Sequence, residues 1–167
     1  MTGFAGYLNG LSTTGSCKIE YTVLKCTSSA PSSQLQVFKI PGWNGVRDID
    51  NMNVPAGATV VFIVQGQNID FGNFGTSKLE SVNAIFYFPD ATSIKTYNVA
   101  LIGGFLAPNA IVNAESGQMR GWIYAKSVAV KYWKTAVRPF KLSCQSKSIP
   151  LIHQPQTDFS SDLSNWN

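Results

Sequence analysis

The 167-residue chain is poor in charge: Lys and Arg number 13, Asp and Glu 9, and together they make up 13% of the residues. It has one histidine, His153, and three cysteines, Cys17, Cys26 and Cys144. Each scarcity excludes something. A Ser/His/Asp or Cys/His site would have to be built on His153, in Ile149-Pro150-Leu151-Ile152-His153-Gln154-Pro155, and no Gly-x-Ser-x-Gly elbow supplies a nucleophile. No Gly-rich phosphate cradle, metal-spaced cluster or RNP-like aromatic box is present, so no cofactor, metal or nucleic-acid partner is expected. The cysteine spacing suits no zinc motif. No run approaches the ~18 apolar residues of a membrane span. Met1-Thr2-Gly3-Phe4-Ala5-Gly6 lacks the basic and apolar regions of a signal peptide, so the expectation is a leader already removed or a piece of a longer chain.

What is present is apolar and β-prone. Hydrophobic residues reach 44%, and Gly, Thr, Ser and Asn dominate the remainder. The length corresponds to one domain able to bury roughly 70% of its unfolded surface. Ile85-Phe86-Tyr87-Phe88-Pro89-Asp90-Ala91, Gly104-Phe105-Leu106-Ala107-Pro108-Asn109-Ala110 and Trp122-Ile123-Tyr124-Ala125-Lys126-Ser127-Val128 superpose at offsets of 19 and 18 residues. A period near 20 with short apolar runs is what a parallel β-helix requires, since each rung closes one turn before stacking on the last. Strands of a sandwich are the alternative, at a spacing usually nearer ten. The expected fold is all-β: a right-handed parallel β-helix, with terminal segments available to cover one face.

Strand alternation sorts the columns. Phe86, Phe105 and Ile123 point inward, as do Phe88, Ala107 and Ala125, while Asp90, Asn109 and Ser127 fall at a corner. Ala58 to Gly66 extends the pattern backwards, with Phe62 joining the phenylalanine column. The longer spacing there places an insertion of about five residues in the Gly-rich stretch Phe71 to Lys78, read as a surface loop. Rungs are thus expected over 54–131, strands at Lys18 to Lys25 and Leu35 to Ile40 within an N-terminal section spanning 1–40, and a wrapping tail over 138–167.

The outward column Ile63, Tyr87, Leu106 and Tyr124 is the candidate contact surface. Its alternative is a stripe covered by the N-terminal 40 residues or by the tail. Lys126, Lys131, Lys134, Arg138 and Lys141 form a basic strip. Lys131 and Lys134 are therefore candidate contacts for phosphate or acidic polysaccharide, or else a solvated edge that discourages strand addition. Cys17 and Cys26 either close a small disulfide loop worth ~2–3 kcal/mol or, with Cys144, stay buried thiols. Asp48 and Asp50 read as a polar turn, and no acids cluster on neighbouring rungs as a polysaccharide-active enzyme would need.

The segments Val54-Pro55-Ala56-Gly57-Ala58-Thr59-Val60-Val61-Phe62-Ile63-Val64-Gln65-Gly66, Phe88-Pro89-Asp90-Ala91-Thr92-Ser93-Ile94, Phe105-Leu106-Ala107-Pro108-Asn109-Ala110 and Gly121-Trp122-Ile123-Tyr124-Ala125-Lys126-Ser127 together resemble the choice-of-anchor A domain. The resemblance covers residues 35 to 130. It implies a secreted or surface-displayed, adhesin-like β-solenoid without catalytic residues. No sorting signal, lipobox or terminal helix accompanies it. The function expected is a non-catalytic extracellular adhesin or structural surface protein. Its partner would be an extracellular-matrix protein, a cell-wall glycan or another copy of itself. Two alternatives stand: an ice-binding β-helix, although the columns Thr92, Ile111, Ala129 and Ser93, Val112, Val130 form no threonine ladder, and a polysaccharide-active β-helix enzyme.

Overall fold

The computed structural model describes residues 2–43, 45–50 and 52–136. It contains one helix, α1 (Thr2–Asn9), and nine strands: β1 (Gly15–Glu20), β2 (Val23–Ser28), β3 (Leu35–Ile40), β4 (Asp48–Ile49), β5 (Thr59–Val64), β6 (Asn68–Gly72), β7 (Asn83–Tyr87), β8 (Ser93–Tyr97) and β9 (Val99–Ala136). From β3 onward every pairing among these strands is parallel, and the chain coils as a β-solenoid of about three turns. The first face stacks β3, β5, β7 and Gly104–Leu106 of β9. The second stacks β6, β8 and Ile111–Ala114 of β9. The third is shorter, with Gly75 bridging Ala100 and Gly117 lying against Val99.

The inward phenylalanines set the register. Phe38 pairs with Phe62, Phe62 with Phe86, and Phe86 with Phe105, rung upon rung. Their rings stack at 6.1 Å between Phe38 and Phe62 and 5.0 Å between Phe62 and Phe86. All four side chains are buried. Phe71 meets Phe86 and Phe105 edge-on from the second face, and Phe88 and Phe105 lie 4.6 Å apart. Each such ring pair adds about 0.5–1.5 kcal/mol to the area it buries. Trp43 plugs the N-terminal end of this bore, stacked on Phe71 at 4.6 Å and edge-on to Phe74 and Phe86.

Three sequence readings are corrected here. Phe71 to Thr76 is no loop, because Phe71, Phe74 and Thr76 are buried and the segment forms the second and third faces of its rung. Its glycines make room: a side chain at Gly72 would overlap the Tyr97 ring of the next rung. The extra residues follow, at 77–82, where Ser77–Leu79 makes one 3₁₀ turn before β7. On the second face the stacking is Ser93 on Ile111 and Ile94 on Val112, one residue from the alignment of Thr92 with Ile111. The offset of 19 on the first face falls to 18 there because the corner after β7 holds one residue more than the corner after Leu106. Lastly, Lys18 to Lys25 is two strands and not one. Tyr21 and Thr22, at φ 48° and 70°, turn the chain between β1 and β2, whose antiparallel register sets Cys17 opposite Cys26.

A disulfide joins those two cysteines. A continuous strand would have held them about 30 Å apart. The hairpin is tied to the solenoid through Gln36, a fully buried amide. The hydroxyls of Thr14 and Ser28 donate to its Oε1 at 3.0 and 2.7 Å, and its Nε2 donates to the carbonyls of Ala30 and Ser33 at 2.8 and 2.9 Å. With two acceptor lone pairs and two amide hydrogens all engaged, the burial carries no unpaired polar atom.

Phe105→Ala is expected to lower unfolding free energy by about 3–5 kcal/mol in a denaturant titration. Ile111→Ala, at an outward position, should change it by less than about 0.5 kcal/mol. Similar small losses at both would contradict the register.

Candidate functional site: a groove on the third face

The outward stripe of the first face exists but is not a free surface. Helix α1 lies across it: Leu8 is buried, and Phe4, Ala5 and Leu11 pack with it against Val61, Ile63, Ile85, Tyr87 and Leu106. Ile63, Tyr87 and Leu106 are buried, and Tyr124 is half-buried at the margin of the same cluster. The Tyr87 hydroxyl donates to the Ala5 carbonyl at 3.3 Å. Three of the four residues proposed as a contact surface are therefore the floor beneath a helix. The cover comes from the N-terminal 40 residues, as the alternative reading of the stripe has it; that the cover is a helix was not legible, because Thr2–Asn9 holds two glycines and no charged residue and reads as a turn-rich segment.

Among the described residues nothing covers the second face, which is mixed in charge. Its outward columns run Asn68, Ser93, Ile111 and Asp70, Lys95, Asn113. Lys95 pairs with Glu115 at 3.2 Å, and the Tyr97 hydroxyl donates to Asp70 at 3.1 Å.

The third face carries a concavity. An open groove of about 880 Å³ is lined by Asn73–Gly75, Asn98–Ala100, Gly117–Gln118 and Lys131–Lys134. Its base is small by construction: the strand-outward residues of two successive rungs are Gly75 and Ala100. A Cβ at Gly75 would meet nothing within 4 Å. Gly117, at φ 143°, admits the Trp133 ring, which any side chain there would strike. One margin is a polar ladder. Asn73 and Asn98 both turn the corner in the left-handed region, at φ 47° and 50°, a conformation asparagine tolerates better than most residues. The Asn98 Nδ2 donates to Asn73 Oδ1 at 3.1 Å, and the Ser116 hydroxyl donates to Asn98 Oδ1 at 3.0 Å. The other margin is aromatic and cationic, with Trp133 half-buried, Tyr132 73% exposed and Lys131 over the Tyr132 ring at 5.5 Å.

Two sequence candidates, Lys131 and Lys134, thus meet in one groove with two aromatic rings and three amides. Sequence reasoning missed Tyr132, Trp133, Asn73, Asn98 and Gln118. Placing 71–78 in a loop removed the third-face register of that rung, which is needed to bring them together. Among the described residues no group of three His, Cys, Asp or Glu converges, and no helix is long and apolar enough to cross a membrane. Cys144, His153, Arg138 and Lys141 lie outside the described residues.

A family model described as "Putative Ice-binding-like adhesive domain" matches residues 1–132. The chain belongs to this family. The match covers α1, the disulfide hairpin and nearly all of the solenoid, so the ice-binding-like adhesive unit includes the helix that roofs the first face. No curated protein and no solved structure matches the chain.

The roof also gives a pH signature. Burial raises the Tyr87 phenol above the ordinary tyrosine value. A raised folded-state value means the stabilisation is complete below the unfolded value of about 10 and is lost as pH rises through the folded one. Chemical denaturation at stepped alkaline pH should therefore show the native chain losing stability relative to Tyr87→Phe above about pH 10. Parallel profiles for the two would contradict the buried placement.

Proposed function

We propose that the chain is a non-catalytic, adhesin-like protein of a cell surface or extracellular layer, and that it attaches through the third-face groove. Membership of an adhesive family supports the first half of this reading. The observation that carries the second is that, among the described residues of the three solenoid faces, only the third combines a concavity with exposed aromatic, amide and unpaired cationic side chains. The first face is roofed by α1. Binding to an extended surface gains from a few aromatic and cationic anchors at a concave site, which is what Tyr132, Trp133, Lys131 and Lys134 supply. The finer kinship with choice-of-anchor A proteins belongs to this proposal too. It is supported by the turn at Val54-Pro55-Ala56-Gly57, where Gly57 adopts φ 78° just before β5 opens its rung.

Ice binding is the second reading, favoured by the family's description. It is weaker on geometry. Ice faces use flat ladders of small polar side chains repeated at the rung spacing of about 4.8 Å. Here the second face interleaves Asp70, Lys95, Ile111 and Asn113.

The test is adhesion of beads coated with the chain to immobilised extracellular-matrix proteins and cell-wall polysaccharides. Gly75→Leu fills the groove from a position with open space around its Cβ, so it should leave stability nearly unchanged and reduce adhesion about tenfold or more. His153→Ala should leave adhesion unchanged, because no proton transfer is invoked. Full adhesion by a folded Gly75→Leu chain would move the site off the third face. Thermal hysteresis in a freezing assay would move the reading to ice.

A further inference from the structure

We propose that the ligand of the third-face groove is an anionic polysaccharide, a class marked by pyranose rings that carry carboxylate or sulfate groups. This rests on reading the groove as the attachment site. Three features of the lining converge on the class. The first is charge. The groove is lined by Lys131 and Lys134 and by no Asp or Glu. The ion pairs among the described residues engage Lys18, Lys25, Lys78, Lys95 and Arg120, and neither groove lysine is among them. Two lysines bordering a concavity whose own lining holds no carboxylate raise its positive potential, because low-dielectric walls focus the field.

The second feature is aromatic area beside those charges. Tyr132 is 73% exposed and Trp133 half-buried, so both offer ring surface to a ligand with an apolar face, as a pyranose has along its C–H bonds. Amphipathic rings give large contact area at little cost in conformational entropy. The third feature is a row of amides. Asn73 and Asn98 stack on successive rungs at the solenoid's own spacing of about 4.8 Å, and Gln118 stands two residues along the strand from Ser116, the next member of their column. Asn98 gives one amide hydrogen to Asn73 and retains the other, which is the donor a row of hydroxyls accepts from. An acidic peptide would satisfy the lysines. It has no repeating hydroxyls to meet the amide row.

The experiment is equilibrium binding of the full chain, by calorimetry or tryptophan fluorescence, to four polymers: polygalacturonate, dextran sulfate, neutral dextran and polyglutamate. Binding to polygalacturonate, dextran sulfate or both, at least tenfold tighter than to dextran and to polyglutamate, is expected. Which of the two polysaccharides wins distinguishes carboxylate from sulfate. The double variant Lys131→Gln, Lys134→Gln should lose about tenfold or more in affinity and most of the salt dependence between 50 and 500 mM NaCl. Tyr132→Ala should lose severalfold with the salt dependence intact. Equal binding to dextran, binding to polyglutamate as tight as to the polysaccharides, or unaltered affinity in the double lysine variant would each overturn the proposal. If Gly75→Leu abolishes adhesion to a surface while none of the four polymers binds, the groove stands and the ligand class falls. If Gly75→Leu is also without effect, the groove reading falls with it.

Discussion

The structure depends on one constraint: the four phenylalanines of the first face must occupy the same inward position on successive parallel strands. Phe38, Phe62, Phe86 and Phe105 are paired in register, so the backbone ladder and the ring column specify each other. A one-residue slip on any rung would turn its phenylalanine outward and bring the side chains that seat α1 into the bore. The constraint acts only on the strands. Between them the chain is free to vary, and it does: six residues including a 3₁₀ turn are accommodated at 77–82 without disturbing the pairing on either side. Corners are where this fold absorbs change, and also where it builds its surface chemistry.

Both of the solenoid's exposed liabilities near the N-terminus are managed by local devices. The outer edge of β3 would present unpaired backbone groups to any passing strand. Thr14 occupies it, donating its N–H to the Val37 carbonyl at 2.9 Å and accepting the Val37 N–H on its hydroxyl at 2.8 Å. Trp43 closes the bore, with Leu24, Val46 and Ile49 buried around it. The disulfide then compensates for an unfavourable turn. Tyr21 and Thr22 both sit at positive φ, where Asn-Gly is the usual solution and a β-branched residue is strained. The cross-strand link holds β1 on β2 despite that turn.

Much of the fold was legible because side-chain periodicity on parallel rungs is short and repetitive. The strand Leu35 to Ile40, the run beginning at Thr59, and the stacking of Phe62, Phe86 and Phe105 all follow from aligning apolar runs. The remainder was not legible where composition and conformation part company. Gly72 and Gly75 look like loop residues, yet they are strand positions that accommodate the Tyr97 ring and leave the groove open. Helix α1 carries glycines and no charge, and its helical state is fixed by the apolar strip it covers rather than by propensity. The candidate site was half visible. Lys131 and Lys134 stood out as charges, but their partners come from three other rungs, and only the coil brings them within reach.

The groove is therefore a product of the fold: glycine and alanine on two rungs create the hollow, asparagine corners edge it with amides, and the final stretch of β9 supplies rings and cations. Amide hydrogen exchange of the full chain, with and without saturating polygalacturonate, tests this most directly. Slowed exchange confined to peptides spanning 73–76, 98–101, 117–118 and 131–134, with α1 and the hairpin unchanged, is the predicted result. Protection concentrated in α1, in the Tyr21 turn or on the second face, with none along the groove, would contradict it.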